Sequence, residues 1–74
     1  LIYMYFADHN PPHFHAVYGG ESAQLAIADQ AITAGELPKA QTKRVQEWAS
    51  QHTTELMDNW HRCQRGEAPL PIDA

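Results

Sequence analysis

The apolar positions of this chain follow two rhythms, and the change between them falls at Pro38. Before it they alternate. In LIYMYF, Ile2, Met4 and Phe6 share one face and Leu1, Tyr3 and Tyr5 the other, which reads as a β-strand apolar on both faces and covered on both sides. After the break at Pro11 and Pro12, HFHAVY places Phe14, Ala16 and Tyr18 on one face and His13, His15 and Val17 on the other, because successive side chains of a strand point to opposite sides. Gly19 and Gly20 mark a hairpin turn. SAQLAIA predicts a third strand with Ala23, Leu25 and Ile27 inward, and AITAG, beyond the polar Asp29 and Gln30, predicts a weaker fourth. Residues 1–34 therefore read as an antiparallel β-meander of three to four strands.

Past Pro38, which suits a first helical turn, good helix formers dominate as far as the stop at Gly66. Val45, Ala49, His52, Leu56, Trp60 and Cys63 recur at spacings of three and four with Trp48 beside them, giving one stripe to pack on the sheet. Residues 38–65 thus predict one long C-terminal α-helix. Unbroken over about 26 residues it would be roughly 39 Å long, whereas a domain of this size is about 29 Å across. Either it bends near Thr53 and Thr54, whose β-branched side chains lower helix propensity, or its end projects and meets a second subunit. The second reading is preferred, because a thin core independently asks for a partner. The closing EAPLPIDA, residues 67–74, has two prolines and no period, and reads as an extended arm that is loose or draped across a neighbour. The expected class is α+β, in a single domain over residues 1–74.

Composition sharpens the question of partners. A chain of 74 residues buries only roughly 60% of the surface that its unfolded form exposes. The single cysteine, Cys63, leaves no intrachain disulfide to compensate, so a metal or oligomerisation is what remains, and a homo-oligomer is expected. Five Lys and Arg against nine Asp and Glu give a net charge of −4, the wrong sign for binding nucleic acid through its phosphates. Protonating all five histidines would carry that charge to +1, so the surface is open to change near neutral pH. No apolar run approaches the roughly 20 residues of a membrane span, and the start has no signal-peptide pattern. A cytoplasmic protein is the expectation. Leu1 is not an initiator methionine, so a few native residues are expected to precede it.

The chemistry concentrates in DHNPPHFH, residues 8–15. Residues two apart on a strand share a face about 6 to 7 Å apart at the backbone, a gap that imidazoles can close. His13 and His15 are thus candidates to hold one zinc-type ion, with His9 or Asp8 reaching in across a turn that Pro11 and Pro12 stiffen. A metal set of His9, His13 and His15 leaves an open position that could activate water. Without a metal, the same histidines are candidates for general acid and base work on a substrate such as a phosphodiester, with Lys39, Lys43 or Arg44 stabilising charge. Against both stands ordinary turn chemistry, since Asp8 and Asn10 before two prolines cap local backbone. His52 reads as a core or interface histidine, His61 as solvated, Cys63 as a small buried hydrophobe, and Trp48 and Trp60 as anchors.

DHNPPHFHAVYGG, the alternating AQLAI, GELPK, VQEWASQHTTELMDNW and GEAPLPI together resemble the family known as domain of unknown function 4160, over essentially the whole chain. Asp8, His9, Pro11, Pro12, His13, Phe14 and His15 match its defining block, Gly35, Glu36, Leu37 and Pro38 its strand-to-helix junction, and Trp48 and Trp60 its helix. The resemblance also implies a further strand-forming segment ahead of Leu1. The resemblance implies a short bacterial protein, often encoded beside another small protein in toxin–antitoxin-like pairs or mobile cassettes, with no established activity. Two functions compete. One is an interaction module, homo-oligomeric or joined to a small partner protein, whose surface includes Asp8, His9, Pro11, Pro12, His13 and His15. The other is a toxin-like nuclease or metal-dependent hydrolase using His9, His13 and His15, which the net charge disfavours.

Overall fold

The computed structural model describes residues 2–72. Four strands precede two helices: β1 (Ile2–Tyr3), β2 (His13–Tyr18), β3 (Glu21–Ala26), β4 (Ile32–Gly35), α1 (Lys39–Gln51) and α2 (Thr53–Gln64). The sheet is an antiparallel meander in the order β1-β2-β3-β4. Phe14 pairs with Leu25 and Ala16 with Ala23, so the alternation read from the sequence brings four apolar side chains onto one face, all buried. Ile27, Leu37, Ala49, Leu56 and Trp60 complete that core, at roughly 25 cal/mol per Å² of apolar surface removed from water. The turn into α1 uses Gly35 at φ 70°, a left-handed conformation, and a Cβ there would overlap the Ser22 carbonyl oxygen.

The long helix is corrected to two. His52 leaves the helical conformation at φ −129°; its N–H donates back to the Ala49 carbonyl at 3.1 Å, and its own carbonyl accepts from the Leu56 N–H at 2.9 Å. His52, Thr53 and Thr54 are three consecutive residues of modest helix propensity. The His52 ring also finds partners in the break, with Nδ1 2.6 Å from Glu55 Oε1 and the ring 5.1 Å from that of Trp48. The longest dimension of the molecule is 33 Å, shorter than the roughly 39 Å of an unbroken rod. The projecting end that argued for a second subunit is therefore gone.

The first strand is also shorter than expected. Among the described residues only Ile2 and Tyr3 pair, opposite Ala16 and His15, and Leu1 lies outside the described residues. The chain then peels away through Ala7, which takes a positive φ of 52°, and anchors on the end of α2. The Ala7 N–H donates to the Cys63 carbonyl at 3.2 Å and Gln64 Nε2 to the Asp8 carbonyl at 3.0 Å. Tyr5 and Phe6 are consequently 54% and 59% exposed, not covered. Residues 67–72 of the tail lie along their own α2, and residues 73 and 74 lie outside the described residues. Asn59 donates from Nδ2 to the Leu70 carbonyl at 2.9 Å and accepts the Leu70 N–H at 2.8 Å, and Ile72 packs against the core. No helix among the described residues is long and apolar enough to cross a membrane.

Candidate metal centre

The loop that leaves β1 and the first residues of β2 bring Asp8, His13 and His15 together, with one ligand atom from each lying within 4.8 Å of the others. His13 opens β2 and is 1% exposed, its ring 5.1 Å from that of Trp60. Its Nδ1–H donates to the Pro11 carbonyl at 2.7 Å, and its Nε2 faces Asp8 Oδ2 at 2.8 Å. Both ring nitrogens thus meet oxygens. The hydrogen bond on the Nε2 side shares a proton between the ring and the carboxylate. The other oxygen of Asp8, Oδ1, accepts the His9 backbone N–H at 2.9 Å.

His15, two residues along the same face, is in a different position. Its Nε2 is buried and has no hydrogen-bond partner among the described residues, with Asp8 Oδ2 the nearby acceptor at 3.8 Å. The ring is fixed by aromatic neighbours: Tyr3, its cross-strand partner, stacks on it at 5.0 Å and 11°, and Tyr5 meets it edge-on at 4.9 Å. A buried unpaired polar atom costs about 1 to 3 kcal/mol. Burial pushes the His15 pKa down, the nearby His13 pushes the same way, and the Asp8 carboxylate opposes them only in part. For Asp8, burial works to raise the pKa but is outweighed by the His9 N–H and by the hydrogen bond and charge of His13, so the carboxyl lies below its ordinary value. The Tyr3 hydroxyl is raised by its hydrogen bond to Tyr5, then by burial and by the charge of Tyr5.

These residues could hold a metal of the zinc class. Bonds of about 2.0 to 2.1 Å at tetrahedral angles put ligand atoms about 3.3 Å apart, between the 2.8 Å of the His13–Asp8 contact and the 3.8 Å of the His15–Asp8 contact. The supporting contacts also agree, because a ligating histidine typically donates its other N–H to a carbonyl and a ligating carboxylate is itself hydrogen-bonded. Pro11 does the first for His13 and the His9 N–H the second for Asp8. Three protein ligands leave a position open.

The other candidates fall elsewhere. His9 is 79% exposed, with Nδ1 3.0 Å from Asp8 Oδ1, and the cluster contains the Asp8 carboxylate, not the His9 ring. The Asn10–Pro11 peptide is cis, and the Pro12 carbonyl accepts the Ile27 N–H at 3.1 Å. Lys39, Lys43 and Arg44 stand on α1, outside the cluster. Cys63 is buried and free, its thiol pKa raised by burial, with Arg62 opposing, and His61 is exposed. Tyr3, Tyr5 and Trp60, which wall the cluster, were not read from the sequence as site residues. Pairing β1 against β2 would have found Tyr3, which sits opposite His15.

A family model described as domain of unknown function (DUF4160) matches residues 1–61. No curated protein matches the chain, and no solved structure does.

Proposed function

The chain belongs to the family of domain of unknown function DUF4160, and from that premise we propose that it is an interaction module organised around a zinc-class ion held by Asp8, His13 and His15. The observation that carries this reading is the buried, partnerless Nε2 of His15 beside a carboxylate oxygen already engaged by His13. An ion would give that nitrogen its missing partner and would replace the shared proton between His13 and Asp8. It would also tie the loop to β2 in a domain too small to rely on its core alone. Tyr5, edge-on to His15, and the next residue Phe6 are exposed and supply the aromatic part of a contact surface for a second copy or a small partner protein, the arrangement of a toxin–antitoxin-like or mobile-cassette pair.

Titration calorimetry of zinc into chelator-treated protein tests this, with His15→Phe alongside, a change that keeps the ring between the tyrosines and removes the ligand. Micromolar or tighter binding lost in the variant supports the reading. Equal binding by both proteins, or none by the native chain, overturns it. A second reading, a metal-dependent hydrolase or nuclease, is favoured by the open position and by the exposed His9 next to Asp8. The net charge of −4 speaks against a polyanionic substrate. RNA cleavage or growth arrest that His9→Ala abolishes while zinc still binds would select it.

A further inference from the structure

Between β1, the two helices and the tail runs a second feature, a cleft of about 620 Å³, within the roughly 300 to 1,000 Å³ typical of small-molecule sites. Its walls are apolar: Met4, Val45, Trp48, Leu56 and the Pro69–Ile72 tail. Apart from the indole N–H of Trp48, three polar side chains among the described residues reach it, and two are already committed. Asn59 spends its amide on both backbone groups of Leu70, and the Tyr3 ring is held edge-on to Tyr5 and stacked on His15. The third is Arg44, exposed at the rim. It makes no ion pair or hydrogen bond among the described residues, and it is the one charged residue among those that line the cleft.

We infer that this cleft binds a small anionic amphiphile, an aliphatic or aromatic carboxylic acid whose apolar body lies against Val45 and Trp48 and whose carboxylate pairs with Arg44. The charge complementarity is specific, since an uncommitted guanidinium at the mouth of an apolar cleft matches a ligand with one apolar end and one carboxylate, which it can grip with two parallel N–H donors. The cleft is also formed before the ligand arrives. The Asn59–Leu70 clasp holds the tail wall, Pro69 and Pro71 stiffen it, and a preformed site saves the ordering that weakens binding. The cleft shares Tyr3 with the surroundings of the Asp8, His13 and His15 cluster, but Arg44, Val45 and Trp48, which would hold the ligand, lie outside that cluster, and the inference does not depend on the metal reading.

Decanoate is the probe and decanol its neutral counterpart of equal chain length. Each is titrated into the full chain and into Arg44→Gln while amide and indole NMR signals are followed. Arg44 is exposed, so the variant keeps the fold, and an unchanged spectrum away from the cleft verifies this. Decanoate should give saturable shifts confined to Met4, Val45, Trp48 and the tail. Its affinity should exceed that of decanol by about tenfold, the scale of one charge-assisted pair at a rim, and Arg44→Gln should bring decanoate down to the decanol level. Equal affinity for the two probes, a full decanoate response in Arg44→Gln, shifts outside the cleft, or no saturation would each overturn the assignment.

Discussion

Replacing Asp8 with alanine should cost the domain about 2 kcal/mol, and the structure says where that figure comes from. The substitution leaves His13 Nε2 facing empty space at a residue that is 1% exposed, while the lost carboxylate is itself only 15% exposed. A hydrogen bond involving a charged group contributes about 1.5 to 3 kcal/mol, and the residual exposure of Asp8 places the loss below the 3 to 5 kcal/mol of a fully buried broken pair. For a domain of this length each kcal/mol moves the melting temperature by about 4 to 8 °C, so Asp8→Ala should melt roughly 8 to 16 °C lower. Asp8→Asn separates charge from hydrogen bonding. With Nδ1–H committed to Pro11, a neutral His13 presents an accepting Nε2 to the Asn amide, and the variant should recover about half of the loss. The assay is urea unfolding at neutral pH in the presence of a chelator, followed by circular dichroism. An Asp8→Ala variant within about 0.5 kcal/mol of the native chain, the scale of an ordinary surface substitution, would refute the reasoning. So would Asp8→Asn falling as far as alanine.

His15→Phe should have the opposite sign under metal-free conditions, raising stability by about 1 kcal/mol in the same urea assay. It removes the buried unpaired nitrogen and keeps the stack on Tyr3; a loss of stability would mean that Nε2 is satisfied. Gly35→Ala should destabilise by more than 1 kcal/mol, about the ordinary cost of a strained positive φ, because its Cβ would also meet the Ser22 carbonyl; thermal melting checks it. Stability should also rise with pH on the acid side. His15 and Asp8 both have folded pKa values below their ordinary 6.5 and 3.8, so the unfolded chain binds the extra protons. The His15 contribution is full above pH 6.5 and fades as pH falls through its lowered folded value. The Asp8 contribution holds down to about its ordinary pKa and fades through its own lowered one. Urea midpoints measured across this range should show both falls, with the upper one missing in His15→Phe.

Much of the sheet is legible in the sequence because its alternation is one-sided where it matters. Phe14, Ala16, Ala23, Leu25 and Ile27 are all buried as the period of two requires. The helical stripe is equally legible, with Ala49, Leu56, Trp60 and Cys63 all buried. What periodicity could not register is a break that leaves the stripe in phase. His52 interrupts the hydrogen-bond ladder and still packs against Trp48, so the spacing of three and four runs through it unchanged. The end of β1 was hidden for another reason: Tyr5 and Phe6 look like strand residues, but the chain must leave the sheet for Ala7 and Asp8 to reach the end of α2. In the cluster, the two-residue spacing of His13 and His15 was readable. The choice of Asp8 over its neighbour His9 depends on the path of the loop, which no local pattern carries. The Asn59–Leu70 clasp left no trace either, since one side-chain amide reading a distant backbone has no period.

The oxygens on either side of the His13 ring have one more consequence. A proton bridging Nε2 and Asp8 Oδ2 keeps the metal-free site in shape, acting as a place-holder for the ion. Loading the site is then an exchange, cation in and proton out, and the heat of zinc binding should depend on the ionisation enthalpy of the buffer that takes up the released proton.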